Sequence, residues 1–259
     1  MYFPRRMLRT CGAVLLLMAA HSHAVVLDWS AVTWTPGALS SSYDIDGLSH
    51  NGNDITLAVS GNTNKLTSDP ATGTAAPSIA TSLQGGTGGD HSLILAGDLS
   101  TQTNFTITVT FTGQYGAATG VSFTLFEIDM GADREKIINI YGLLSDGVTK
   151  VPGTVTSHGS SVELANPGLS QVLTGIAPAD NTGVNSANGN ATISFGAHAI
   201  SSFTFDFKND GGPPRFQSIA LHDIDFTPVP EINPALAAGG VCGLALFVVM
   251  RRRARRARA

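Results

Sequence analysis

The segment that decides the fold class is 104-NFTITVTFTG-113, in which apolar side chains and threonines alternate. Phe105, Ile107, Val109 and Phe111 fall on one side of the alternation, and four threonines fall on the other. Because consecutive side chains of a β-strand point to opposite faces, the segment predicts a strand with one buried and one solvated face. Such strands are typical of antiparallel sheets.

Similar short apolar runs recur between turns rich in Gly, Asn, Asp, Ser and Pro, and they predict further strands. These lie at 25–34, 54–59, 92–96, 121–129, 137–143, 191–195, 200–207 and 217–226. Long loops are predicted at 60–90 and 174–190. The sequence therefore predicts one all-β domain over residues 25–228, a single antiparallel β-sandwich of jelly-roll type.

The charges of the chain are segregated between this domain and the two ends. Between Val25 and Pro230 there are 6 lysine and arginine residues and 18 acidic residues, a formal net charge of −12. An acidic body repels polyanions, so the sequence predicts no nucleic-acid partner. The only cysteines, Cys11 and Cys242, lie outside the body, which therefore has no internal disulfide.

The first 24 residues have the three parts of a secretory signal peptide. Arginines near the start precede an apolar run at 11–20, and Ser22-His23-Ala24 supplies small residues at the cleavage site. Signal peptidase is expected to cleave after Ala24 and leave Val25 as the new N-terminus. An uncleaved membrane anchor is the alternative.

The C-terminal end combines an uncharged segment with a cluster of arginines. Residues 235–250 carry no charge, and six arginines follow within 251–258, beginning with Arg251, Arg252 and Arg253. As a helix, this segment would span about 24 Å, somewhat less than the roughly 30 Å hydrocarbon core of a bilayer. We expect a transmembrane helix whose arginines stay on the cytoplasmic side while the body is exported.

Together with Val229, Pro230 and Glu231, the end of the chain at 229–259 resembles the PEP-CTERM sorting tail of Gram-negative bacteria. The family pattern has proline where this chain has Ile232. The resemblance implies recognition by an exosortase and removal of the membrane segment near the motif. It also implies transient residence in the inner membrane and delivery to the cell surface or the extracellular matrix.

Two acidic pairs occur in similar settings, in 125-LFEIDM-130 and 221-LHDIDF-226. In a regular strand, Glu127 and Asp129 would share a face with the apolar residues that precede them, as would Asp223 and Asp225. Since isolated carboxylates are costly against a core, either the strand bulges and turns them outward, or they surround a cation at the edge of the sandwich. Calcium suits such oxygen ligands, and Asp133 would add another. The alternative is that they are solvated acids at strand ends.

The segments 121-VSFTLFEIDMGADREKIINIYGLLSDG-147 and 216-FQSIALHDIDFTPVPE-231 resemble bacterial surface β-sandwich domains that precede sorting tails. Those domains carry a similar Phe-x-x-x-Asp-Ile-Asp strand and a final strand that continues into the anchor. This resemblance implies the fold and the location of the domain.

The body contains none of the common catalytic motifs, so the sequence predicts that the protein is not an enzyme. Trp29 and Trp34 are the only tryptophans. Being five residues apart, they would face opposite sides of a regular strand, which would leave one of them free to stack on a sugar. Two hypotheses remain open: a structural or adhesive surface protein, and a calcium-dependent carbohydrate-binding module that contacts extracellular polysaccharide.

Overall fold

The described part of the chain consists of β-strands and one short 3₁₀-helix. The structure is a computed structural model and describes residues 23–45, 52–69, 71–113, 116–131, 134–178, 186–211 and 213–229. The 3₁₀-helix is Thr63–Lys65. The strands are β1 (Val25–Leu27), β2 (Ser40–Tyr43), β3 (Ile55–Gly61), β4 (Ser78–Ala80), β5 (Ser92–Leu99), β6 (Asn104–Phe111), β7 (Ala117–Phe126), β8 (Glu135–Leu144), β9 (Lys150–Pro152), β10 (Thr154–His158), β11 (Val162–Ala165), β12 (Val172–Gly175), β13 (Ala191–Ser194), β14 (Ile200–Asn209) and β15 (Arg215–Val229).

The strands form one curled antiparallel sheet that folds into two halves. The first half has the strand order β11-β12-β8-β14-β6-β3-β2, with β9 beside β8. The second half has the order β10-β13-β7-β15-β5-β4, with β1 beside β15. A single paired position, Ile200 of β14 with Ala118 of β7, joins them. The predicted all-β, antiparallel sandwich is confirmed.

The core lies between the two halves and is rich in phenylalanine. Phe123 of β7 stacks on Phe203 of β14 with ring centroids 4.6 Å apart, and lies 5.7 Å from Phe205. At the β6 side, Phe111 lies 5.1 Å from Phe226 of β15. All five rings are buried, so the inward positions of the alternating strands form one continuous apolar layer.

The alternating segment at 104–113 behaves as its pattern predicts, with every second residue of β6 buried. The predicted strand at 25–34 is wrong beyond Leu27, because the chain turns at Trp29 and Ser30. Two short strands that the pattern missed, β2 and β10, are rich in small polar residues and are mostly exposed. They pair with a neighbour without burying a full apolar face, so their sequences show no clear alternation.

No helix of the described ranges has the length and apolar character needed to cross a membrane. Most of the predicted signal peptide lies outside those ranges, as do the predicted membrane segment at 235–250, the arginine cluster at 251–258, Pro230 and Glu231. Val229 is the last residue of β15 and pairs with Ala117 of β7.

Candidate functional site on the outer face of the first half-sheet

Both tryptophans are buried, which corrects the prediction that one of them contacts sugar. Trp29 is 0% exposed and Trp34 is 5% exposed. Trp29 makes edge contacts with Trp34 and with Tyr43, at centroid distances of 6.5 and 6.2 Å. Because the strand ends at Leu27, the alternation rule does not apply to these two positions, and the turn directs both rings into the core.

The two acidic pairs leave the core face because the strands that carry them become irregular. β7 ends at Phe126, and Glu127 adopts a left-handed backbone conformation with φ of 64°. In β15 the pairing with β7 shifts between Leu221 and Ile224. Ile224 and Phe226 then take the buried positions, which leaves Asp223 half-buried and Asp225 exposed. The second pair is thus turned away from the core at a bulge, whereas at the first pair β7 ends before the acids begin.

Among the described residues, the predicted calcium ligands do not form a recognisable metal site. Within the part of the chain that the structure describes, no three histidine, cysteine, aspartate or glutamate side chains are grouped so as to hold a metal ion. The predicted ligands Glu127, Asp129, Asp223 and Asp225 all belong to that part, whereas Asp133 lies outside it. Since one of the predicted ligands is outside the described residues, calcium binding at these pairs stays a prediction.

A buried carboxyl group that the sequence did not single out lies beside the first pair. Glu135 begins β8 and accepts hydrogen bonds from the backbone N–H groups of Asp129, at 3.3 Å, and of Ser218, at 3.1 Å. Burial raises the pKa of Glu135 well above its usual range, and the charges of Glu127 and Asp129 raise it further. The two N–H groups oppose this shift. Glu135 thus ties the β7–β8 connection to β15.

The buried Glu135 predicts a specific pH dependence of stability. An acid with a raised pKa binds its proton more tightly in the folded state, so its contribution to stability is greatest at low pH and is lost as pH rises from its ordinary pKa of 4.5 towards the raised value. Relative to the wild type, Glu135→Gln should therefore become more stable as pH is raised from about 4.5 to about 8. Denaturant unfolding across that range measures the difference. Glu163→Gln, at an exposed position of β11, is the control, and its free energy of unfolding should change with pH as that of the wild type does. An equal pH dependence for Glu135→Gln and the wild type would contradict the prediction.

Ser92, His222 and Asp223 lie next to one another, as a nucleophile, a base and an acid do in many hydrolases. Here Nδ1 of His222 is 3.2 Å from Oγ of Ser92, but Nε2 of His222 is 4.0 Å from the Asp223 carboxylate, beyond hydrogen-bond distance. Ser92 is fully buried, and the His222 ring stacks on Phe126. An inaccessible hydroxyl cannot attack a substrate, so this trio does not support nucleophilic catalysis.

A polar surface runs across the outer face of β2, β3, β6, β14 and β8, which we call the platform. Its rows are set by the pairing of the strands, and its side chains are half-buried or exposed. Neighbouring hydroxyls contact each other across the strands: Thr108 and Thr204 at 2.7 Å, and Ser42 and Thr56 at 2.8 Å. A hydroxyl donates once and accepts twice, so each pair keeps capacity for a ligand.

Asp206 of β14 is at the centre of the platform's hydrogen bonds. One carboxylate oxygen accepts from the hydroxyl of Thr106, at 2.6 Å, and the other accepts from the amide of Asn139, at 2.7 Å. Thr106 in turn accepts from the amide of Asn104, at 3.1 Å. These contacts fix the orientation of the carboxylate, which still has acceptor capacity for a further donor.

Asn139 is placed by a β-bulge in β8. The pairing of β8 with β14 shifts between Thr204 and Asp206, and Asn139 has a φ of 56°. A left-handed non-glycine residue inside a strand is strained, and bulges that redirect a side chain cluster at functional sites. The bulge makes Asn139 exposed, while Ile140 faces the core.

Tyr141 supplies the aromatic member of the platform. It lies on the outer face of β8 opposite Thr204, two residues from the bulge, and is half-buried. The ammonium group of Lys150 in β9 lies 3.8 Å from the centroid of the Tyr141 ring. A cation–π contact of this kind holds both side chains at the edge of the hydroxyl rows.

Sequence reasoning missed this group because its members are distant in the chain and individually ordinary. The one available signal is 138-INIY-141, in which Asn139 and Tyr141 are two residues apart in a predicted strand. Alternation puts Asn139 and Tyr141 on the same face of that strand, but it does not say which strand lies beside it. Only the bulge and the pairing with β14 bring Asn139 to Asp206 and Thr106.

No protein-family model and no curated protein sequence matches the chain. Among solved structures, it is similar to a carbohydrate-binding module studied for specific mannan recognition, with 10% identity, a TM-score of 0.35, and coverage of 80% of this chain and 99% of that chain. It is also similar to a family 11 carbohydrate-binding module from Clostridium thermocellum in complex with a β-1,3-1,4-mixed-linked tetrasaccharide, with 11% identity, a TM-score of 0.32, and coverage of 82% and 100%. A third is CBM32-3 of a family 31 glycoside hydrolase from Clostridium perfringens, with 15% identity, a TM-score of 0.27, and coverage of 63% and 92%. With TM-scores this low, function has to be inferred from the residues of this chain.

Proposed function

We propose that the protein is an exported, non-enzymatic surface protein that binds polysaccharide on the platform. The observation that carries this proposal is the placement of Tyr141 beside the fixed carboxylate and amide of Asp206 and Asn139, at the end of paired rows of threonine hydroxyls. An aromatic ring offers an apolar surface to the C–H face of a sugar, while oriented polar groups select its hydroxyls. An open sheet face suits a long chain better than a small molecule.

The adhesive role expected from the sequence is retained, but the aromatic residue that contacts the sugar is Tyr141 and not Trp29 or Trp34. The proposed sugar contacts do not involve calcium, because the residues that make them supply a ring, hydroxyls, an amide and a single carboxylate. Binding without catalysis fits a surface protein that attaches polymer to the cell.

Export and sorting belong to the same proposal and rest on the sequence of the two ends. Signal peptidase would release the body at Val25, and an exosortase would act near Val229, Pro230 and Glu231. In support of the first boundary, β1 begins at Val25. Mass spectrometry of the protein from the surface of its host should therefore find a chain that starts at Val25 and lacks residues 235–259.

The binding proposal is tested by removing the ring of Tyr141. Tyr141→Ala should weaken polysaccharide binding at least about tenfold, a loss of about 1.4 kcal/mol, whereas Tyr141→Phe keeps the ring and should retain most of the affinity. Affinity electrophoresis against a panel of neutral and acidic polysaccharides measures the effect. Phe216→Ala removes an exposed ring from β15, in the other half of the sheet, and should bind as the wild type does.

Thermal melting of each variant shows whether it is folded. If the folded wild type binds no polysaccharide, or if Tyr141→Ala binds as tightly as the wild type, the platform is not a polysaccharide site. The protein would then be better described by the purely structural role that the sequence also allows.

A further inference from the structure

The lysines of the body are concentrated on the strands of the platform side. Three of its four lysines, Lys136, Lys150 and Lys208, lie on β8, β9 and β14, and all three alternate with inward-facing neighbours. The fourth, Lys65, lies in the 3₁₀-helix beside β5. On the platform strands and β9, the only acid at an outward position is Asp206.

On the strands of the opposite half, acidic side chains outnumber basic ones. Its described strands carry Asp98, Asp223 and Asp225 at half-buried or exposed positions, and their one cationic side chain is Arg215. Burial raises the pKa of Asp223; the Trp29 N–H and His222 oppose this rise, and the carboxylates of Asp28 and Asp90 add to it. The body as a whole has a net charge of −12 and repels polyanions, but three of its four lysines lie on the platform side and give that side a local cationic character.

Two of the lysines are direct cross-strand neighbours. Lys208 pairs in register with Lys136, and like charges in that position are unfavourable unless something neutralises them. Asp210 pairs with Lys136 at 2.5 Å, while Lys208 donates to the carbonyl of Thr101 at 2.8 Å, a contact that leaves its charge uncompensated. The charge of Lys150 is likewise met only by the Tyr141 ring among the contacts that the structure gives it.

We infer that the polysaccharide bound on the platform is anionic, a polymer with a carboxylate on its sugar rings. This inference rests on the proposed function and narrows its ligand class. The ammonium of Lys150 lies beside the ring on which a sugar stacks, and Lys208 lies on the same sheet face, two residues along β14 from Asp206. A carboxylate-bearing chain would bring its charges to these two lysines while its hydroxyls meet Asp206, Asn139 and the threonines.

The experiment compares each acidic polysaccharide with its own uncharged form. Polygalacturonate, alginate and hyaluronan are presented to the purified protein beside their methyl esters, at low and at raised ionic strength. We expect tighter binding of at least one polyuronate than of its ester, and a loss of that preference as salt screens the charges. The double variant Lys150→Gln/Lys208→Gln should reduce binding of the polyuronate roughly tenfold and binding of the ester less than about twofold.

Lys65→Gln removes a lysine of the other half and is the matched control, expected to bind as the wild type does. Equal binding of acid and ester, without salt dependence, overturns the anionic ligand while the platform remains a polysaccharide site. Binding of neutral polysaccharides alone also overturns the anionic ligand and leaves the platform as a polysaccharide site. If no polysaccharide of either kind binds, the proposed function itself fails, and the inference fails with it.

Discussion

Phe123→Ala should lower the free energy of unfolding by about 3–5 kcal/mol, the usual range for removing a buried phenylalanine ring. Phe123 is 1% exposed and stacks on both Phe203 and Phe205 of the opposite half-sheet. The loss combines the free energy gained when the ring is buried with the cost of a cavity between the two halves of the sheet. The strands on either side are held by their own hydrogen bonds and cannot close this cavity fully. For a domain of this size, the melting temperature should fall by roughly 6–20 °C.

The matched control makes the same chemical change on the surface. Phe216 lies near the start of β15, which pairs with β7, but it is 43% exposed, so Phe216→Ala should cost less than about 1 kcal/mol. Calorimetry or urea unfolding of the two variants measures the contrast. Similar losses in both would mean that the rings of Phe123, Phe203 and Phe205 do not form the contact between the halves.

Gly175→Ala should destabilise the fold at or above the upper end of the roughly 1–3 kcal/mol typical of overpacking. Gly175 ends β12, and a Cβ at this position would lie 1.8 Å from the backbone oxygen of Asp129. The obstacle is a backbone carbonyl, which cannot rotate away as a flexible side chain would. Either β12 separates from the end of β7, or the β7–β8 connection that holds Glu135 moves.

Gly131→Ala is the control for this substitution. Gly131 lies in the same connection after β7, and its Cβ would meet nothing within 4 Å among the described residues. Its stability should stay within about 0.5 kcal/mol of the wild type. Urea unfolding measures the free energy of unfolding of both variants. Equal values would show that β12 does not approach Asp129 this closely.

Strands with strict alternation were predictable because the rule they obey is local. In β6 the alternation of apolar residues and threonine is observed residue by residue, and β14 follows the same pattern at Phe203, Phe205 and Phe207. Turn residues then bounded these strands to within a few positions. Short strands such as β10 were missed, since their exposed polar residues leave no periodic trace.

Predictions about sites failed where the regular strand ended. The expectation that Trp29 and Trp34 face opposite sides assumed that the strand continues past Leu27, where it in fact stops. The sequence indicates that the acid pairs do not suit the core face, but it does not show how the backbone keeps them off it, which depends on irregularities at Glu127 and between Leu221 and Ile224. Such irregularities arise from the pairing partners, which the local sequence does not reveal.

The sequence by itself determined that the body is an antiparallel all-β domain without disulfides, because side-chain periodicity and the positions of cysteines need no knowledge of neighbours. The sequence also shows that the charges are segregated between an acidic body and arginine-rich ends. Only the tertiary structure decided that Asn139, Asp206, Thr106 and Tyr141 meet on one face, and that three lysines share its side of the sheet. The reason is that strands β6, β8 and β14 pair although they lie far apart in the sequence. The register of such a pairing depends on how the two halves of the sheet pack against each other.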